Sequence, residues 1–89
     1  MAALEQGQIT VTQNVATNVI PVPVSWVVIQ NIDPVDTVYF GNQYVTNTTY
    51  GFSLAPGQRE VLSRMSTSMQ LYAYCSTGTA TLTTLSVLF

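Results

Sequence analysis

The 89-residue sequence contains no histidine and no lysine, a single cysteine, and two arginines as its only cations. Each absence removes a class of function. Without histidine, the usual general base, the commonest metal ligand and the ordinary nucleophile–base pairs are missing together. The lone thiol, Cys75, allows no internal disulfide and no cysteine-based zinc cluster, and no base beside it in the sequence marks it as a nucleophile. Its setting, Tyr74-Cys75-Ser76 at the end of an apolar stretch, predicts a buried small side chain. Arg59 and Arg64 cannot neutralise the several phosphates on which nucleic-acid affinity depends, and they offer an anionic membrane surface little to attract. Neither nucleic acid nor membrane is expected as a partner. No segment approaches the roughly 18 consecutive apolar residues of a membrane-spanning helix. Met1 to Gln6 has neither the basic start nor the apolar centre of a secretory signal, so synthesis in a cytoplasm is expected.

Charge of either sign is scarce. Only 7% of residues are charged and the net charge is −2, against about 25% charged residues in an ordinary domain. With 47% of residues hydrophobic, the polar surface must be made of Thr, Ser, Asn and Gln. Threonine and valine together suit a pleated, half-buried surface. A chain this short holds one core and buries only roughly 60 to 65% of its unfolded surface, which leaves a thin stability margin. So few charges also give little protection against self-association. Both facts point to life in an assembly.

What is present is a series of strand signals. Gln8 to Thr12 alternates polar and apolar residues, the period of a strand with one wet face; residues 1–7 before it are open to reading as an extended N-terminal arm. Asn14 to Asn18 is turn-like, and Val19-Ile20-Pro21-Val22-Pro23-Val24 sets prolines where a ladder needs donors, so it reads as an edge strand or an extended crossover. Ser25 to Asn31 is the most continuous apolar run, expected as a central strand covered on both faces. Asp33 to Asp36 breaks the pattern and Thr37 to Gly41 resumes it, which predicts a hairpin. Asn42 to Tyr50 reads as a short strand and a long loop. Pro56-Gly57 predicts a type II turn, because glycine tolerates the positive φ that turn requires. Arg59 to Ser63, Met69 to Tyr74 and Thr79 to Phe89 supply the remaining strands, with a turn at Ser76 to Gly78. Seven or eight short strands without a helical period predict an all-β fold: a single-domain antiparallel β-sandwich over residues 1–89, jelly-roll-like or Ig-like.

The search for chemistry yields little. Four carboxylates, Glu5, Asp33, Asp36 and Glu60, would need a substrate cleft for which a small sandwich has little room. Asn31, Asp33 and Asp36 match no calcium-binding loop and read as ordinary turn formers. Asn47-Thr48-Thr49 fits a glycosylation acceptor, which without a secretory signal never meets the machinery. No enzyme activity, cofactor or metal site is expected. Among the aromatics, Trp26, Phe40, Tyr72 and Tyr74 read as core. Tyr44 and Tyr50, in the polar loop region, read as a protein interface, with core packing or a sugar platform as the alternatives. The apolar ending Val87-Leu88-Phe89 puts apolar side chains on both faces of a strand, of which one small core hides one. Leu88 and Phe89 are therefore expected to dock on a neighbour.

In order along the chain, Val27-Val28-Ile29-Gln30-Asn31, Val38-Tyr39-Phe40-Gly41, Gly51 to Gln58, Leu71-Tyr72-Ala73-Tyr74 and Gly78-Thr79-Ala80-Thr81-Leu82 resemble small β-sandwich structural proteins of tailed bacteriophages, of the capsid decoration (cement) or head-fibre type. The Gln43 to Tyr50 loop and the Ser63 to Ser68 stretch depart from that pattern. The resemblance implies a non-enzymatic virion protein, made in the host bacterial cytoplasm, that binds the major capsid protein or other virion proteins on the outer face of the head. It further implies a homo-oligomer, a trimer above all. A tail or baseplate subunit is the near alternative, and a carbohydrate- or receptor-binding module the distant one.

Overall fold

A computed structural model describes residues 4–66 and 69–88. Eight strands follow one another: β1 (Leu4–Thr12), β2 (Thr17–Asn18), β3 (Val24–Asn31), β4 (Val38–Gly41), β5 (Phe52–Leu54), β6 (Arg59–Ser63), β7 (Tyr72–Tyr74) and β8 (Thr79–Leu88). They form two four-stranded sheets, ordered β1-β8-β3-β6 and β2-β7-β4-β5. All the strand pairings are antiparallel. The molecule is an all-β sandwich, and this strand order is that of an eight-stranded jelly roll, which settles the choice between the two sandwich types expected.

The core lies between the sheets. Val11, Val27, Ile29 and Leu82 from the first sheet meet Val38, Phe40 and Ala73 from the second, all with no exposed surface. Phe40 stacks on Phe52 with ring centroids 4.8 Å apart, and burying one such large side chain contributes about 1.5 to 3 kcal/mol. The alternation Val27/Ile29 inward and Trp26/Val28 outward follows from the two-residue period of a strand.

Several expectations need correction. β1 begins at Leu4, and Leu4 to Gly7 pair in register with Val87 to Thr84; these residues belong to the sheet rather than to a detached arm, and residues 1–3 lie outside the described part. Ser25–Asn31 and Thr37–Gly41 do not make a hairpin, because β3 and β4 lie in different sheets. The reason sits at the crossing. Asn31 is fully buried, and its Nδ2 donates to the Asp36 carbonyl at 2.8 Å and to the Leu54 carbonyl at 2.9 Å, while its Oδ1 accepts from Asp33 N–H. Its backbone N–H and carbonyl are bound by the Gln58 carbonyl and Gly57 N–H. The chain therefore turns down between layers around a satisfied polar hub instead of folding back beside itself.

β3 is an interior strand, between β8 and β6, but its outer face is not covered by any described residue. The segment 42–50 forms no strand; Val45 is its buried anchor. β7 is shorter than the Met69–Tyr74 run, and a two-residue strand, β2, stands where a turn was expected. The Pro56-Gly57 turn is as expected, with Gly57 at φ +84° and Gln58 N–H donating to the Ala55 carbonyl at 3.0 Å. Val19 and Ile20 are buried on an irregular crossover between the sheets, one of the two readings of that stretch.

Candidate functional site

Residues directly opposite in an antiparallel ladder share a face, so the register identifies what each sheet shows to solvent. On the first sheet, Leu4 lies across from Val87, Val87 from Trp26, and Trp26 from Ser63. In the neighbouring row Gln6, Leu85, Val28 and Val61 stand side by side. Six apolar side chains thus form a band across all four strands on the side away from the core. Leu4 is 68% exposed, Val61 49% and Leu85 37%, while Trp26, Val28 and Val87 are half-buried by one another and their neighbours.

The next row is polar: Gln8, Thr83, Gln30 and Arg59. Together with Val28 and Leu85 it lines a shallow concavity of about 790 Å³. No carboxylate stands on this face, since Glu5 and Glu60 occupy inward-facing positions of the two edge strands. Arg59, one of the chain's two cations, stands in this row, and Arg64 follows the end of β6. The face is thus apolar and neutral with a weakly positive margin. An isolated exposed leucine means nothing, but a contiguous band rimmed by polar residues marks a contact surface.

The second sheet shows a different face. Tyr39 stands across from Tyr74, with Tyr72 across from Gly41, and Tyr50 from the following loop reaches Tyr39 with ring centroids 4.9 Å apart and planes tilted by 55°. The Tyr74 hydroxyl donates to Asn14 Oδ1 at 2.7 Å. Tyr72 and Tyr74 were expected in the core; they lie outward instead, half-buried, because Ala73 takes the inward position opposite Phe40. Trp26 is corrected in the same way, and of the four aromatics assigned to the core only Phe40 is there.

The residues singled out for an interface separate. Tyr50, 47% exposed, joins the tyrosine face, whereas Tyr44, 72% exposed, stands apart on its loop, held through its backbone N–H on Asn42 Oδ1. Leu88 turns inward, across from Val24, and packs on the core; its neighbour Val87 takes the outward position. Phe89 lies outside the described residues. Leu85 and Val87 belong to the apolar ending whose cover was expected from the sequence, whereas Val28 and Val61 went unrecognised, although the unbroken run Trp26 to Ile29 put apolar side chains on both faces of its strand.

The polar groups considered for chemistry have structural partners. Asp33 Oδ2 accepts from the N–H groups of Val35 and Asp36, and Asp36 Oδ1 from the Thr77 hydroxyl. Cys75 is fully buried, its Sγ 3.3 Å from the Val11 carbonyl; burial, aided by the nearby Asp36 charge, pushes its thiol pKa up and keeps it protonated. No group of three or more potential metal ligands occurs among the described residues. Among the described residues no helix is long and apolar enough to cross a membrane. Compared with protein-family models, with curated proteins and with solved structures, the chain matches none of them.

Proposed function

We propose that this chain is a non-enzymatic structural subunit that docks, through the outer face of the β1-β8-β3-β6 sheet, on the surface of a larger protein assembly. The observation that carries this reading is the uncovered band of Leu4, Val87, Trp26, Leu85, Val28 and Val61. Its partner is a protein surface of apolar and neutral character with carboxylates opposite Arg59. The sequence resemblance gives the assembly a more specific form: a bacteriophage head, with the chain as a decoration or cement protein on the outer face of the major capsid protein and the virion as its location. The jelly-roll order supports that choice only by analogy, since shell proteins and lectins share it.

The test is co-sedimentation of the purified chain with shells assembled from the shell protein encoded in the same genome, in mature and precursor form. Binding to mature shells alone, lost in the double variant Val61→Asp/Leu85→Asp, is the expected result. Binding to neither form, or binding indifferent to those substitutions, overturns it.

The tyrosine face favours a second reading, a glycan- or receptor-binding module, because Tyr39, Tyr50, Tyr72 and Tyr74 provide the aromatic platform that such a function requires. Calorimetric titration with a panel of oligosaccharides separates the two. Saccharide binding abolished by Tyr39→Ala or Tyr50→Ala, with no shell binding, would replace the first reading by the second.

A further inference from the structure

The two sheets have four edge strands, β1, β6, β2 and β5, and three of them are protected against pairing with another chain. β6 carries Arg59 and Glu60, and Arg64 just after its last residue has a φ of 58°, outside the extended range of a strand. β5 has three residues and runs into Ala55-Pro56, and β2 has two, followed by Pro21 and Pro23. Short length, charge and proline are the devices that blunt sheet edges. β1 is the least protected of the four: nine residues, no proline, no cation, and a single charge, Glu5, near its start.

The hydrogen-bond phase shows what that edge presents. Gln13 N–H donates to the Gly78 carbonyl at 2.9 Å, continuing the β1–β8 register. Odd-numbered residues of β1 therefore bond to β8, and the N–H and C=O groups of Leu4, Gln6, Gln8 and Thr10 point to the open side. On the inner side of the same edge lies an apolar groove of about 270 Å³, walled by Gly7, Ile9, Ile20, Val22, Val24 and Val27 among others.

We infer that this edge pairs with β1 of a second copy of the chain, antiparallel about a two-fold axis at Gln8, to make one eight-stranded sheet. In that register Gln6 lies across from the partner's Thr10, and Leu4 from the partner's Thr12. On the inner face Gly7 lies across from the partner's Ile9. A Cβ at Gly7 would have Thr84 Oγ1 as its nearest neighbour, at 3.6 Å, so the missing side chain leaves the groove open for the partner's Ile9, and Ile9, itself only half-buried, fills the same space in return. The charges agree with this arrangement. The two Glu5 carboxylates fall six residues apart along the paired strands, about 20 Å, well beyond the screening length of about 8 Å in physiological salt. A parallel pairing would set them side by side. The self-pairing uses a different surface from the outer-face band, so it holds whichever assembly that band meets.

The experiment is sedimentation velocity on the wild-type chain and on Gln8→Lys and Gln8→Glu, each checked for an unchanged melting curve because Gln8 is exposed. The two-fold axis puts residue 8 against its own copy. Each variant alone should dimerise at least about tenfold more weakly through like-charge opposition, and an equimolar mixture should recover the wild-type affinity as a mixed dimer. Hydrogen exchange should show Gln6, Gln8 and Thr10 amides protected in the dimer and exposed in Gln8→Lys. A wild-type chain that stays monomeric, a trimer, or a dimer that neither substitution weakens overturns the inference. A wild-type chain that stays monomeric yet co-sediments with shells overturns this inference alone, and one that dimerises without binding shells overturns the docking proposal alone.

Discussion

Asn31 Nδ2 lies 2.9 Å from the Leu54 carbonyl, a side-chain hydrogen bond that ties β3 of one sheet to β5 of the other inside the sandwich. The same amide holds the Asp36 carbonyl and caps Asp33 N–H. It is the polar pivot on which the chain crosses between layers.

Replacing Asn31 by leucine keeps the branched shape of the side chain and removes its three side-chain hydrogen bonds. We expect a loss of about 2 to 4 kcal/mol, since buried carbonyls left without donors cost their full desolvation penalty. Asn31→Asp, which loses both donors and adds a charge near Asp33 and Asp36, should be at least as damaging at neutral pH. Urea unfolding decides; a loss below about 0.5 kcal/mol for the leucine variant would mean water replaces the amide without cost.

Cys75 makes stability depend on alkaline pH. Its folded-state pKa is raised by burial and by the Asp36 charge. Below the unfolded thiol value, about 8.5, both states keep the proton and stability is full. As pH climbs above that value the unfolded chain gives up its proton while the folded chain keeps it, so stability falls until the folded pKa is passed. Cys75→Ala should show a shallower decline above pH 8.5, and equal slopes for the two proteins would refute the assignment.

Asp33 and Asp36 shape a turn. Their carboxylate oxygens are held by Val35 and Asp36 N–H groups and by the Thr77 hydroxyl. Thermal unfolding should superimpose with and without chelator. Asp33→Ala should cost about 1 to 2 kcal/mol from two lost backbone bonds. A chelator-induced drop of several degrees would restore a calcium role.

Leu85 and Leu88 stand on opposite faces of β8, which separates docking from folding within one strand. Leu88→Ala should cost about 1 to 2 kcal/mol, less than a fully buried leucine, and leave shell binding intact. Leu85→Asp should change stability by less than about 1 kcal/mol and weaken binding. The reverse pattern would place the contact surface on the wrong side of the sheet.

By itself the sequence determined the strand content, the Pro56-Gly57 turn, the burial of Cys75 and the sandwich class, because each depends on local period, on φ preference or on composition. Alternation in Ile9 to Val11 and in Ala80 to Leu82 needs no partner to be read. Strand partners were decided only in three dimensions. Asp33-Pro34 looks like hairpin punctuation, and it took the buried Asn31 amide and the Leu54 carbonyl, 23 residues on, to make it a crossing between layers. The outward faces were hidden for the same reason: Trp26, Tyr72 and Tyr74 are hydrophobic enough for a core, and only the register, which gives the inward positions to Val27 and Ala73, sends them out. Which surface is left uncovered is a property of the packed sheets, since a side chain's face is local but its cover is contributed by residues far away in the chain.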